Sequence, residues 1–133
     1  MLWARGAFEA ELVMGLDLIP TVDIPEDAFE GIEGLIDGGG CLAGRIYDIM
    51  LRQLGVRDTL YEDHEPGEVK KLYRALKRAR IPADYHQPHT LAEYGSWGMG
   101  ADRTIVPHEE LYVPFVRWLE VLIEYESGFE VDY

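Results

Sequence analysis

Pro107-His-Glu-Glu-Leu-Tyr-Val-Pro-Phe-Val-Arg-Trp-Leu-Glu-Val-Leu-Ile-Glu-Tyr-Glu-Ser127 is the longest and most apolar helical pattern in the chain. Leu111, Phe115, Trp118, Leu119, Leu122 and Ile123 recur at spacings of three and four, and Arg117, Glu120 and Glu124 fall on the other side. Each large apolar side chain gains roughly 1.5–3 kcal/mol when fully buried. A helix with so broad an apolar face must be covered by the rest of the chain. Pro114 lies inside the pattern, so the helix starts near it or kinks there.

The remaining segments supply that cover. Residues 2–18 read as a first helix, with Leu2, Ala4, Phe8, Leu12 and Leu16 on one face and Gly6 and Gly15 weakening it. Leu18–Ile24 is extended or a short strand, because Ile19 precedes a proline. Pro25 opens a second helical pattern through Ala28, Phe29, Ile32, Leu35 and Ile36, ended by Gly38-Gly39-Gly40. A third helix is expected from about Cys41 to Leu54, stopped by Gly55. Pro66 opens a fourth, basic one, with Val69, Leu72, Tyr73 and Leu76 as its apolar stripe. Ile81–Val106 is irregular and punctuated by proline and glycine. Phe129, Val131 and Tyr133 alternate with Glu130 and Asp132, the pattern of an edge strand or a packed tail.

The sum predicts a mainly α fold: a compact bundle of about five helices with one long irregular loop, in a single domain of 133 residues. The alternative is an α+β domain that pairs segments 19–24, 103–106 and 129–133.

Charge narrows the function classes. Twenty-five acidic residues against twelve basic ones give a net charge of −13. Six of the basic residues lie between Lys70 and Arg80; the rest of the chain sets six against twenty-five, a balance of −19. Such a surface repels nucleic acid and anionic lipid and attracts basic partners. No run of about 18 apolar residues predicts a membrane span. Glu9 and Glu11 interrupt the N-terminal apolar residues, so no secretory leader is expected. With Cys41 the single cysteine, no internal disulfide is possible, and a cytoplasmic protein is expected.

Three constellations bear on chemistry. Asp37-Gly-Gly-Gly-Cys41-Leu-Ala-Gly-Arg45 places a thiol where a helix N-terminus would lower its pKa, making Cys41 the candidate nucleophile. The competing reading is a glycine cap followed by a small buried residue, and the spacing matches no phosphate-binding loop. His86, His89 and Glu93, with His108 in reserve, are the candidate metal ligands; no cofactor is otherwise implied. The loop Tyr94-Gly-Ser-Trp97-Gly-Met99-Gly is the candidate binding element, flanked in character by the acidic loop residues Glu62, Asp63 and Glu65.

These features favour a non-enzymatic, acidic interaction protein of the inhibitor or immunity type, one that masks a basic, nucleic-acid-binding or nuclease partner. A small enzyme built on Cys41 or the histidines is the alternative. A subunit of a larger assembly, self-associating through the Lys70–Arg80 helix, is the third.

Overall fold

The computed structural model describes residues 16–79 and 108–133, with side chains from Leu111 onward in the second stretch. Of the helix expected over residues 2–18, residues 2–15 fall outside the described residues, as do the 81–106 loop and the expected strand at 103–106. The end of that helix is incorrect, because Asp17 and Leu18 lie in a β-strand, Asp17–Pro20.

The five-helix bundle is incorrect. The described residues form three α-helices and a four-stranded antiparallel sheet, an arrangement compatible with the α+β alternative. Strand β1 is Asp17–Pro20, β2 is Ile36–Asp37, β3 is Cys41–Ala43 and β4 is Phe129–Asp132, in the order β2-β3-β1-β4. The helices are α1, Arg45–Gln53, α2, Pro66–Arg78, and α3, His108–Glu124.

Two sequence patterns misled for one reason. Phe29 and Ile32 keep helical spacing, yet residues 26–29 and 33–35 are separate 3-10 turns. Gly31 between them has a φ of +99°, which an α-helix cannot contain. Phe29 ends the first turn and Ile32 precedes the second, and both are buried without an α-helix. Likewise Cys41–Ala43 is a strand rather than the start of α1. Gly44 intervenes, donating its N–H to the Leu16 carbonyl at 2.7 Å. Any Cβ on Gly44 would lie 2.8 Å from the Leu18 side chain, so sheet and helix meet at a residue without one.

The expected terminal and basic elements are present. α2 begins with Pro66, and Glu65 and Glu68 form a reciprocal cap at its N-terminus. α3 runs through Pro114 and ends in a turn where Glu126 has a φ of 54°. Leu111, Phe115, Trp118, Leu119 and Leu122 are all buried, as their spacing predicts.

α3 is the centre of a single core. It packs against α2 and α1, Phe115 stacks on Tyr47 at 5.0 Å, and Trp118 meets Phe129 of β4 at 5.6 Å. The Trp118 indole N–H donates to the Gly40 carbonyl at 2.8 Å. Leu18 and Leu42 point from the sheet into the same cluster.

β4 is anchored on both sides. It pairs with β1, and Thr21 and Gly128 exchange hydrogen bonds at the strand ends. On the far side Phe129 and His64 exchange backbone hydrogen bonds at 2.8 Å, and the Val131 N–H donates to Asp63 Oδ1. A Cβ on Gly128 would sit 2.1 Å from the His64 carbonyl oxygen. Gly128→Ala is therefore expected to part β4 from residues 64–65 and to cost about 1–3 kcal/mol or more in chemical denaturation; an unchanged denaturation midpoint would contradict this packing.

Candidate interaction surface

The sheet has one buried and one open face. Side chains directly opposite one another on antiparallel strands share a face. Leu18, Leu42, Val131 and Ile36 turn inward by this rule, since Leu18 pairs with Leu42 and Val131, and Ile36 with Leu42. The other set faces out: Asp17 opposite both Asp132 and Ala43, Ile19 opposite Glu130, and Asp37 opposite Cys41. Asp17, Asp37, Glu130 and Asp132 are all exposed. Between them Ile19 and Cys41 are half-buried, so an apolar centre is framed by carboxylates.

That face runs into a cleft of about 720 Å³ between the β1–Pro25 segment and the glycine turn. Ile19, Val22, Ile24 and Cys41 contribute its apolar lining, and Asp23 and Glu26 its acidic wall. Val22 is 39% exposed, although its side chain is apolar. From residue 16 to 44 there are seven acidic residues and no lysine or arginine.

The face is not arranged for stability. Asp17 and Asp132 stand directly across adjacent strands, a like-charge pair that is destabilising. α3 has no basic residue in its last turn, where the helix dipole favours one, and carries Glu124 there instead.

Cys41 lies on this face and not at a helix end. Burial, followed by the negative charges of Asp17 and Asp37, raises its thiol pKa above the usual value. An activated nucleophile needs the opposite. The lowering expected from a helix N-terminus fails because Cys41 sits in β3, ahead of Gly44 and α1.

The acidic loop residues hold structure together. Asp63 accepts the Val131 N–H at 2.9 Å, Glu65 caps α2, and the Glu62 carbonyl accepts from His64 Nδ1 at 2.8 Å. His64 itself was not singled out in the sequence. It is buried, its ring stacks on Phe129 at 4.4 Å, and Nε2 faces both carboxylate oxygens of Asp58 at 3.1 Å. Both ring nitrogens thus meet acceptors, which suits the doubly protonated ring. Its burial opposes that charge, but the hydrogen bonds it donates to Asp58 and to the Glu62 carbonyl, with the charges of Asp58 and Glu68, outweigh it and raise the pKa.

Asp48 is a buried carboxylate whose partners are local. It accepts the Leu60 N–H at 2.8 Å and lies 3.6 Å from Arg52 Nε, tying α1 to the following loop. Tyr94, Trp97 and Met99, and the metal candidates His86, His89 and Glu93, lie outside the described residues, as does the His108 side chain. Among the described residues no group of three or more His, Cys, Asp or Glu side chains is placed to hold a metal ion. No described helix is long and apolar enough to cross a membrane. No protein-family model, curated protein or solved structure matches the chain.

Two measurements test these placements. Asp17→Asn should raise stability by roughly 0.2–1 kcal/mol, read from the denaturation midpoint, because it removes one member of the like-charge pair. For His64 the folded pKa is raised, so the proton's contribution is complete below about 6.5 and is lost as pH rises through the folded value. The stability advantage of the wild type over His64→Gln should therefore shrink as pH is raised from 6 to 9, about the range spanning a raised histidine pKa. A constant difference across that window would show that the ring is not held protonated.

Proposed function

We propose that this chain is an acidic protein-interaction module that receives a basic protein segment on the outer face of its sheet. In this reading it acts as an inhibitor or immunity-type protein inside the cell, masking a cationic nucleic-acid-binding or nuclease surface. The observation that carries it is the register that sets Asp17 directly opposite Asp132 on an exposed face that also bears Asp37 and Glu130. Lysine or arginine side chains laid there would relieve the repulsion. Their aliphatic stems would cover Ile19 and Cys41 while their charged ends met the carboxylates. The adjoining cleft gives the partner's apolar residues a place to dock.

The partner class follows from the field. A surface with seven acidic and no basic residues over 16–44 steers cations inward and keeps polyanions and anionic lipid away. An enzyme built on Cys41 finds less support, since burial, and after it the neighbouring carboxylates, push the thiol pKa up. The binding surface in this reading is the sheet face rather than Glu62, Asp63 and Glu65, two of whose side chains are engaged within the fold.

A helical peptide rich in lysine, arginine and leucine serves as the probe. Its addition should shift the amide resonances of residues 17–19, 41–43 and 130–132 before others. Replacing Asp17, Glu130 and Asp132 by their amides should weaken binding about tenfold or more, roughly 1.4 kcal/mol. The same charge change at the exposed Glu30, Glu33 and Glu124 should cost much less. Affinity should fall as salt rises. Equal losses from the two triple variants would defeat the assignment of this face.

A further inference from the structure

Five of the chain's twelve cations are gathered on α2. Lys70, Lys71, Arg74, Lys77 and Arg78 are all exposed on α2, whose opposite side buries Val69, Leu72 and Leu76. Among the described residues none of the five forms an ion pair. In a chain of net charge −13, five cations thus share one helix with no ion pair among the described residues.

We propose that α2 of one copy lies across the outer sheet face of a second copy. The dimensions match. Lys70, Arg74 and Arg78 repeat every turn, a row of about 12 Å at 1.5 Å per residue. On the sheet, the register places Asp37 beside Cys41 and Ile19 beside Glu130. Continuing the β1–β3 register by one residue puts Ile19 beside Cys41. Asp37, Cys41, Ile19 and Glu130 therefore form one row across four strands, about 14 Å at roughly 4.8 Å per strand. Carboxylates end the row, its middle is apolar, and Asp17 and Asp132 lie in the row alongside. A helix crossing the strands sets its cations against those carboxylates and lays their stems on Ile19 and Cys41.

The two surfaces are different, so the contact is heterologous: each copy offers a helix to one neighbour and a sheet to another. Long-range repulsion between two acidic molecules is screened beyond a Debye length of about 8 Å at physiological salt, while direct pairs survive. Association is accordingly strongest at moderate ionic strength. A polyanion is the other claimant for α2, but twenty-five carboxylates oppose it. The inference rests on the acidic face being receptive, as proposed above, but not on any outside partner. A bound copy would cover the face that the basic partner needs, and the two would compete.

The test uses the whole chain alone, by light scattering coupled to size exclusion over a concentration series. The wild type should rise to roughly twice the monomer mass or more, as a head-to-tail contact requires, and return to monomer in high salt. A variant with Lys70→Glu, Arg74→Glu and Arg78→Glu should be monomeric. So should one with Asp17→Lys and Glu130→Lys. Circular dichroism confirms that each is folded. Mixing the two variants should restore association, because the unaltered α2 of the sheet variant then meets the unaltered sheet of the helix variant, and the reversed helix meets the reversed sheet. A monomeric wild type at every concentration, association that persists in the reversed helix, or no rescue on mixing would overturn the proposal. Duplex DNA held by the wild type through α2 would overturn it in favour of a nucleic-acid contact. If self-association is absent while the basic peptide still maps to the sheet face, only the contact between copies fails.

Discussion

The indole N–H of Trp118 donating to the carbonyl of Gly40 joins the central helix to the turn that shapes the outer sheet. Trp118 is fully buried, so its polar nitrogen must find a partner inside the protein. Gly40 supplies one because its φ of +81° orients the backbone there, and because the Phe29 ring occupies the space where a side chain would project. Helix α3, the 3-10 turn ending at Phe29 and the β2–β3 connection are thus fixed relative to one another. Asp37 and Cys41 flank that connection. The positions of two residues on the acidic face are set from within the core.

The exposed side of the sheet follows a different logic. Inward residues satisfy packing, whereas outward ones place like charges opposite each other across β1 and β4. A domain with one well-filled core can carry that cost, since each repulsive pair is small beside the burial of residues such as Trp118 and Phe115. Packing is concentrated in the helices and the inner sheet face, and the like charges are placed where they disturb the core least.

Much of this architecture was legible in the chain. The 3.6-residue period of 111–123 and the proline-led, acid-capped start of the basic helix are strong local signals, and the alternation at 129–133 correctly marked a strand. The sheet was harder to see because β2 and β3 have only two and three residues, too few to display a period. Glycines decided the rest: Gly31 and Gly44 cut patterns whose apolar spacing alone looked helical. The acidic face could not be read as a surface, because Asp17, Asp37, Glu130 and Asp132 come together only through strand order and register. His64 escaped notice because its partner Asp58 and its stacking ring Phe129 come from different parts of the chain.

The far margin of β4 bears on how the molecule behaves in crowded solution. Its Phe129 and Val131 amides are already engaged by the His64 carbonyl and the Asp63 side chain, and the Tyr133 hydroxyl donates to the Tyr61 carbonyl beyond them. The opposite margin, β2, is two residues long. Neither border offers the row of free backbone donors that templates strand recruitment. Among the described residues the sheet is thereby closed at both borders to the pairing of a further strand, and what it leaves accessible is its flat.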